Sequence, residues 1–465
     1  MGMKHLLLLT FALWLDGPAA GHDGSAEQIG KPAGVHRVVL SKTGGDRASA
    51  YPMVPKVARL GDCYLVTWLD VSRINQWALV DVETGAVRHS GAIGPVRYDN
   101  HCGAAVVAAP DGSAHILVGG HQQPFMHYRG TRTSEEGIRW ELVAAEVGSG
   151  ATYPSLACSP EGVLHLAYRC RGLLGVPYPY HVMYAQWRPG KGWSNPVPLV
   201  KVNVLEHTWT LHTLTLGADG TIHIVHVNTI PVNKTDKYYG ASHLYSSDDG
   251  QTWRQVGRPE ALTTPVPAST LKRIEGEKFL ESRIEPNPTP PLPCPPEGSY
   301  YNQMVLSNVV ADGTGGLRVL LLNPFRGTAQ LARLDGNGWT MSDLLPPVQV
   351  GFWYTHVGQL AWVDRKLRAV VTVGPKGLHE WGPNQTTLAR LEFDEAGKVV
   401  TNELIRPPEA DRAIWLPSLE RTTPSSKDSP ALLYTCGTVA SRGLKTANNI
   451  NSVETEVVLE WNVKK

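Results

Sequence analysis

Residues 101–121 read HCGAAVVAAPDGSAHILVGGH, residues 153–170 read YPSLACSPEGVLHLAYRC and residues 212–227 read HTLTLGADGTIHIVHV. Each stretch is a short apolar strand, a turn containing glycine and a second apolar strand, with a histidine three residues after the turn glycine. A catalytic centre rarely repeats itself once per unit, so these histidines are interpreted as structural and the stretches as a repeated hairpin. The three histidines are His115, His165 and His223.

Weaker copies of the same unit bring the count to seven. They lie at residues 51–69, 301–323, 356–373 and 416–436. The units start about 50–60 residues apart, except for one gap of about 90, and several are followed by a further segment ending in a tryptophan turn. Four strands per unit at this period predict an all-β fold, a seven-bladed β-propeller whose blades bury each other's faces. The segment VHRVVL at residues 35–40 is predicted to pair with the last blade and close the ring.

The composition agrees with short strands and gives little information on partners. The 46 glycines and 35 prolines are spread along all 465 residues and leave little room for long helices. The formal net charge is +1 and no basic run occurs, so nucleic acid is not expected as a partner. The 14 tryptophans and 16 tyrosines against 6 phenylalanines suit either stacking on sugar rings or ordinary blade interfaces.

The N-terminus has the pattern of an export signal. Lys4 precedes an apolar segment at residues 6–15, and small residues follow at 19–21. We therefore predict a signal peptide at residues 1–21 and a single propeller domain at residues 22–465, with a proline-rich insertion near 285–298. No other segment is apolar enough for a membrane span, so a secreted or periplasmic protein is expected, and we expect a monomer.

Polar residues that differ from blade to blade stand at the ends of the inner strands. Asp99, Asn100 and His101 precede one unit and His121 ends it, while Tyr153 opens the next unit and Arg169 nearly ends it. Strand ends of this kind surround the central channel, where propellers bind ligands. The side chains either converge on one pocket or simply cap their strands.

The stretch over residues 95–255 resembles the BNR-4 type propellers that include the ulvan lyases. In that family a histidine pair twenty residues apart is followed by a tyrosine and an arginine sixteen apart, as His101 and His121 are followed here by Tyr153 and Arg169. The segment SSDDGQTW at residues 246–253 also matches the Asp box of sialidase-type propellers, which marks the fold and not the catalytic centre. The C-terminal half and the proline-rich insertion are not matched in this way.

The resemblance implies a polysaccharide lyase that cleaves a uronate-containing, ulvan-like polysaccharide by β-elimination. Such an enzyme removes the C5 proton beside the carboxylate and protonates the O4 atom that leaves. Tyr153 and His121 are assigned as the base and acid, in either order, with His101 and Arg169 neutralising the carboxylate. The predicted substrate-binding residues are Asn100, Arg97, Tyr98, His127 and Arg129.

Two other functions fit the same pattern. A non-catalytic carbohydrate-binding propeller would keep the aromatic residues and tolerate loss of His121 or Tyr153. A sialidase-like glycoside hydrolase would need an arginine triad and paired carboxylates, and the arginine segment expected before the first unit is not evident in the sequence.

The elimination itself is expected to need no cofactor. A structural metal ion is compatible with the histidines of one unit, although their spacing matches no established site. Those histidines are His207, His212, His223 and His226.

Overall fold

A computed structural model describes residues 34–462 except 134–136, 173–179, 203–208, 233–234, 275–303, 324–326, 337, 345–346, 348, 377–383 and 439–453. Seven sheets form the blades of a ring, so the predicted seven-bladed β-propeller is confirmed. The innermost strands of consecutive blades contact each other in chain order. Among the described residues the helical part is one 3-10 turn, Ala268–Thr270.

The first three blades occupy the N-terminal half of the ring. Blade 1 consists of β2 (Val57–Leu60), β3 (Cys63–Leu69), β4 (Asn75–Asp81) and β5 (Val87–Ile93). Blade 2 consists of β6 (Ala105–Ala108), β7 (Ala114–Val118), β8 (Phe125–Thr133) and β9 (Gly137–Val147). Blade 3 consists of β10 (Ala151–Cys158), β11 (Leu164–Arg171), β12 (Tyr180–Arg188), β13 (Gly192–Trp193), β14 (Val197–Lys201) and the distant β18 (Val266–Pro267).

The remaining blades complete the ring. Blade 4 consists of β15 (Trp209–Leu216), β16 (Ile222–Val232) and β17 (Thr235–Ser246). Blade 5 consists of β19 (Val305–Leu306), β20 (Val310–Ala311), β21 (Leu317–Asn323), β22 (Thr328–Asp335) and β23 (Gly338–Asp343). Blade 6 consists of β24 (Phe352–Val363), β25 (Lys366–Pro375), β26 (Thr387–Phe393) and β27 (Val399–Leu404). Blade 7 consists of β28 (Ala413–Leu419), β29 (Leu432–Gly437), β30 (Thr455–Asn462) and β1 (Val35–Gly44).

The N-terminal strand closes the ring, as the sequence predicts. Strand β1 pairs antiparallel with β30, with Val35 opposite Asn462 and Val38 opposite Leu459. The last blade thus takes its fourth strand from the other end of the chain, which joins the first and last blades. Closure of this kind leaves the ring without an open end.

Apolar side chains fill the spaces between neighbouring blades. All five residues of β7 are buried, because both faces of that strand lie against other elements. Leu65 and Trp77 of blade 1 belong to the same buried cluster as Ile116 of blade 2. Each blade therefore depends on its neighbours for burial of its apolar faces.

The hairpin topology sorts side chains between two faces of the ring. The seven predicted units coincide with the first two strands of the seven blades. Because these strands are antiparallel, residues that precede the first strand and residues that follow the second lie at the same edge of the blade. We call this edge of the ring the mouth face, and the edge that carries the turn between the two strands the turn face.

The repeated histidines lie near the turn face and contact the third strand of their own blade. The Nδ1 atom of His165 lies 2.8 Å from the Tyr184 hydroxyl oxygen. The Nδ1 atoms of His115 and His223 lie 2.9 and 3.2 Å from the Nε2 atoms of His127 and His243. Burial lowers the pKa of His165 and of His223 to about 4. These contacts agree with the structural role predicted for the three repeated histidines.

The Asp-box segment forms a tight turn after β17. Asp248 accepts hydrogen bonds from the Ser246 hydroxyl at 2.8 Å and from the Thr252 backbone N–H at 2.8 Å. Trp253 is buried and packs edge-on against the Tyr184 ring, with centroids 5.1 Å apart. Strand β17 runs from the mouth face to the turn face, so this motif lies on the turn face.

Several predictions fall outside the described residues. The signal peptide at residues 1–21 and the proline-rich insertion at 285–298 stay predictions, as do the boundaries of the domain that they delimit. No helix of the described part is long and apolar enough to cross a membrane. The five described cysteines are all free thiols.

Candidate functional site

A fully buried carboxylate, Asp99, organises the mouth face of blade 2. Its Oδ1 atom accepts the backbone N–H of His101 at 2.8 Å and lies 3.2 Å from the Nδ1 atom of the same residue. Its Oδ2 atom forms a short hydrogen bond with Nδ1 of His121. The two histidine rings lie 4.4 Å apart. One carboxylate therefore holds both histidines by the same ring nitrogen and directs both Nε2 atoms away from itself.

Burial and hydrogen bonding have opposite effects on these groups. Burial by itself would raise the pKa of Asp99, but the hydrogen bonds with His101 and His121 outweigh it and hold that pKa below its usual range. Burial lowers the pKa of His101 to about 3, although Asp99 opposes the shift. Asp99 is thus ionised and His101 neutral at neutral pH.

Blade 1 contributes an arginine and a tyrosine to the same cluster. Arg47 donates a hydrogen bond from Nη1 to the Tyr51 hydroxyl at 2.7 Å, and the same nitrogen lies 3.4 Å from Nε2 of His101. An arginine nitrogen can only donate, so Nε2 of His101 accepts and its proton is on Nδ1, facing Asp99. Both ring nitrogens of His101 are therefore engaged by protein groups.

Tyr153 is placed by a bulge at the start of blade 3. The pairing of β10 with β11 shifts register between Thr152 and Ser155, and Tyr153 has a φ of 60°, in the left-handed region. Such bulges often redirect a side chain at a functional site. The Tyr153 carbonyl oxygen accepts a hydrogen bond from Nε2 of the buried His212 at 2.8 Å, which fixes the backbone of the bulge.

The phenol of Tyr153 lies between the histidine pair and an arginine. Its ring is 5.9 Å from that of His101 and 4.4 Å from that of Tyr51. The guanidinium carbon of Arg169 lies 4.3 Å from the Tyr153 ring centroid and 4.2 Å from that of Tyr180, so the cation is sandwiched between two rings. Successive contacts thus join His121, His101, Tyr153 and Arg169 into one cluster.

Burial decides the protonation state of Tyr153. The side chain has no exposed surface, and burial raises its pKa well above 10 even though the neighbouring Arg169 and Arg47 oppose the shift. The sequence alone suggests that Arg169 could turn this tyrosine into a base. In the folded protein Tyr153 is a neutral phenol, and it can donate a proton rather than take one.

A second group of side chains connects the two blades beside this cluster. Gln122 donates hydrogen bonds from its amide nitrogen to the Tyr180 hydroxyl at 3.0 Å and from its backbone N–H to the Thr152 hydroxyl at 3.1 Å. Arg171 donates a short hydrogen bond to the Gln122 side-chain oxygen. Gln122 therefore fixes the end of the blade 2 hairpin, where His121 is located, against the start of blade 3.

The predicted substrate-binding residues are placed in three different ways. Tyr98 is 63% exposed and its ring lies 6.2 Å from that of His121, at the rim of the site. Asn100 is buried and donates to Asp46 at 3.2 Å. Arg97 donates to the Gly119 and Pro124 carbonyl oxygens at 2.9 and 3.2 Å, so it supports the loop around His121.

The structure does not bring His127 and Arg129 to the site. His127 is fully buried, 2.9 Å from His115 and within reach of the Trp193 indole N–H at 3.2 Å. Arg129 pairs with Asp111, in the turn between β6 and β7, and so lies at the turn face. The reason is strand geometry: at about 3.3 Å per residue, β8 carries its later residues away from the mouth face.

One described group has the composition of a metal site. Ligand atoms of Asp99, His101 and His121 all lie within 4.8 Å of one another. Both histidine Nδ1 atoms already face Asp99 oxygens at hydrogen-bonding distance, so a metal ion bound through them would have to replace the two protons. An ion bound by Asp99 together with these two Nδ1 atoms would replace the hydrogen bonds that order both histidines.

The histidines of blade 4 bond to different partners, although His212 and His226 lie opposite each other in the pairing of β15 with β16. His207 lies outside the described residues. His212 bonds to the Tyr153 carbonyl, His223 faces His243, and His226 contacts the Asn228 side chain at 2.9 Å. Within the described part of the chain these three histidines are not among the groups close enough to share an ion.

Arg47 and Tyr51 are the main contributors that the sequence reasoning missed. Arg47 lies before the first unit, in a segment whose sequence shows no recognisable arginine motif. A signal for Tyr51 was present, because the dipeptide Tyr-Pro occurs at the start of both the first and the third units, at Tyr51 and at Tyr153. Arg47 has no such marker, and only the folded chain places it beside His101.

Solved structures with a similar fold include polysaccharide lyases. An ulvan lyase, described as a new polysaccharide lyase family, PL25, is 13% identical, with a TM-score of 0.62 over 89% of this chain and 94% of that chain. An ulvan lyase structure bound to -[GlcA(1-4)Rha3S]- is 14% identical, with the same TM-score and coverage. The polysaccharide lyase Uly1 is 12% identical, with a TM-score of 0.56 over 92% of this chain and 99% of that chain. At these identities the likeness establishes the fold.

Sequence comparison places the chain in a family. A search of curated proteins found no significant match. The BNR repeat-containing family matches residues 40–275, which cover blades 1 to 4 and every residue of the cluster around Asp99. That match spans just over half of the 465 residues, and the chain belongs to the BNR repeat-containing family.

Proposed function

We propose that this protein is a polysaccharide lyase that cleaves a uronate-containing, ulvan-like polysaccharide by β-elimination. The observation that carries the proposal is the contiguous cluster on the mouth face, in which a carboxylate-anchored histidine, a neutral phenol and an arginine lie within successive contacts. These are the three kinds of group that elimination needs: a base, an acid and a cation for the carboxylate.

His121 is the base in this proposal. Its Nδ1 atom is bound to Asp99, and its Nε2 atom, which lies 3.4 Å from the amide nitrogen of Gln122, carries the lone pair that takes the C5 proton once substrate replaces that neutral contact. The electron pair of the broken C5–H bond forms the C4=C5 double bond, and the C4–O4 bond breaks. His121 is also the better exposed of the two histidines of the cluster, with its side chain 10% accessible against 7% for His101.

Tyr153 is the acid. Its high pKa keeps the proton on the phenol until the O4 atom of the leaving sugar develops negative charge and accepts it. Because Tyr153 is buried, the side chains that cover it have to move when substrate enters, as in enzymes that gate their sites. Of the two assignments that the sequence leaves open, the proposal takes His121 as the base and Tyr153 as the acid.

Arg169 is the cation that pairs with the uronate carboxylate. A guanidinium group can bind a carboxylate through two parallel hydrogen bonds, and neutralising that charge acidifies the C5 proton. The Tyr153 and Tyr180 rings hold the guanidinium plane from both sides, which reduces its freedom before substrate binds. His101 takes a supporting role here instead of the carboxylate-binding role expected from sequence, because Asp99 and Arg47 occupy both of its nitrogens.

The comparisons support the same proposal. The similar structures include ulvan lyases, one of them bound to a glucuronate-containing disaccharide unit. The central carboxylate, Asp99, is fully buried and bonded to both histidines, so it is not presented as a nucleophile or acid, which disfavours the glycosidase alternative. Export from the cell, inferred from the N-terminal sequence, would bring the enzyme to such a polymer. No metal ion takes part in the proposed chemistry.

The test is ultraviolet absorbance during incubation with uronate polysaccharides, beginning with ulvan. A rise in absorbance reports the double bond conjugated to the carboxylate and is the expected result. A flat trace with folded protein on every uronate polymer would contradict the proposal. Release of reducing ends without that absorbance would instead indicate a hydrolase, and binding without either signal would indicate a carbohydrate-binding propeller.

A further inference from the structure

The mouth face carries a cavity on the other side of the ring from the Asp99 cluster. A cavity of about 520 Å³ opens between blades 5 and 6. Its walls come from the end of β21, the start of β22, the end of β23 and the start of β24. First strands start, and second strands end, at the mouth face, so the cavity shares that face with His121 and Tyr153.

The cavity lies across the ring from blade 2. Consecutive blades follow each other around the ring, and half of a seven-blade circuit from blade 2 ends between blades 5 and 6. A polymer that lies across the channel mouth with one sugar at His121 therefore extends towards this cavity. A chain running in any other direction would meet the rims of different blades.

The lining has the chemistry of a sugar-binding surface. Phe352 and Trp353 are both partly exposed and supply aromatic surface. Gln330 donates to Asp343 at 2.7 Å, which aligns an amide and a carboxylate that can bond to hydroxyl groups. Lys376 is exposed and supplies one positive charge to the lining, while Asp343 supplies one negative charge. Mixed aromatic and hydrogen-bonding groups without a net charge suit the polyhydroxylated part of a glycan.

The Trp353 ring is held in place by a glycine. A Cβ atom at Gly327 would lie 2.2 to 2.5 Å from three atoms of the indole, so the ring rests directly on the backbone of that residue. Gly327 also has a φ of 65°, which side-chain-bearing residues rarely adopt. The indole is thus positioned before any ligand binds, which lowers the entropic cost of stacking a sugar on it.

We propose that this cleft, defined by Gly327, Gln330, Asp343, Phe352, Trp353 and Lys376, is a distal subsite that binds a segment of the polysaccharide remote from the cleavage point. Trp353 is the stacking residue and the Gln330–Asp343 pair bonds to sugar hydroxyl groups. The subsite requires a glycan that spans the channel mouth, so it favours long chains over short oligosaccharides. The subsite binds the polysaccharide whether or not the protein catalyses elimination.

The experiment is affinity electrophoresis through gels that contain ulvan, another uronate polymer or a neutral glucan. The variants are Trp353→Ala, Gln330→Ala as a milder change in the same cleft, and Trp339→Ala as the matched control. Trp339 is a partly buried tryptophan of the same blade, but it lies at the start of β23, on the turn face. The expected result is a severalfold weaker retardation of Trp353→Ala, a smaller loss for Gln330→Ala and none for Trp339→Ala.

Kinetics separate this proposal from the proposed function. On polymer, KM of Trp353→Ala should rise severalfold with little change in kcat, whereas kcat/KM on a short oligosaccharide should stay at the wild-type value. Equal retardation of wild type and Trp353→Ala, or no retardation of wild type in any gel, would overturn the subsite. Retardation that depends on Trp353 without any ultraviolet signal would leave the subsite standing and reject the lyase.

Discussion

The two faces of the ring use the same residue type in opposite ways. Near the turn face, His165 contacts the neutral Tyr184 hydroxyl, and equivalent histidines recur in neighbouring blades. At the mouth face, His121 contacts the ionised Asp99, and among the described residues this arrangement occurs in one blade. Burial keeps the turn-face histidine neutral and structural, whereas the mouth-face carboxylate fixes the orientation of the histidine ring and directs its Nε2 atom away from itself.

The strand bulges of blades 3 and 7 also combine the same backbone geometry with different side chains. Leu416 of blade 7 has a φ of 55° at a register shift between Trp415 and Ser418, which matches the geometry of Tyr153 in blade 3. Both residues precede a Pro-Ser pair. The repeat thus supplies a bulge in more than one blade, and the side chain that occupies it decides whether the position can take part in chemistry.

The largest loss of activity is expected when the hydroxyl group of Tyr153, at the bulge on the mouth face, is removed. Tyr153→Phe should lower kcat roughly 10³-fold, within the range of general acid catalysis, because no proton donor remains for the leaving O4 atom. Tyr168→Phe is the matched control, since this hydroxyl is also buried in blade 3 but lies outside the cluster. Steady-state kinetics and thermal unfolding of both variants check the prediction. Equal activity of the two variants would remove Tyr153 from the mechanism.

A smaller loss is expected from neutralising the anchor of the histidine pair. In Asp99→Asn, the amide oxygen stays on the His101 backbone N–H and the amide nitrogen faces Nδ1 of His121, which moves the His121 proton to Nε2. Nε2 of His121 then carries the proton and cannot act as the base, so kcat should fall roughly 10²-fold, as expected when the aspartate of a catalytic Asp–His pair is replaced by asparagine.

The control is Asp111→Asn, a carboxylate in a turn-face loop of the same blade. At neutral pH, kcat should fall in Asp99→Asn and not in Asp111→Asn, while KM stays similar in both variants. An unchanged kcat for a folded Asp99→Asn variant would mean that Asp99 only stabilises the fold.

The smallest effect on turnover is expected near the turn face, where a substitution changes the pH dependence of stability instead. The unfolded chain binds a proton at His165 below about pH 6.5, whereas the folded protein does so only below about pH 4. Stability is therefore present above pH 6.5 and is lost as the pH falls towards 4, by about 1.4 kcal/mol per pH unit for one such histidine. His165→Gln should reduce this pH dependence in urea unfolding, whereas Tyr184→Phe, which retains the histidine, should not. The same slope in all three proteins would argue against a neutral His165.

Much of the fold was predictable because it is built from local repeats. Asp-Gly or Glu-Gly turns mark the three clearest hairpins and apolar runs indicate the other four, and the VHRVVL segment is predicted to pair with the last blade because a ring needs closure. The site was predictable in part. His101, His121, Tyr153 and Arg169 do meet, but His127 and Arg129 do not, since sequence proximity to a site ignores the direction in which a strand runs.

The sequence by itself determined the architecture and the identities of the polar residues at the strand ends. Hydrophobic alternation and turn residues act over a few positions, so they can be interpreted without knowing which blades are neighbours. Only the tertiary structure decided their chemical states. The neutral phenol of Tyr153, the occupied nitrogens of His101 and the approach of Arg47 all depend on burial and on contacts between blades, and such contacts join residues about 50 to 100 positions apart in the chain.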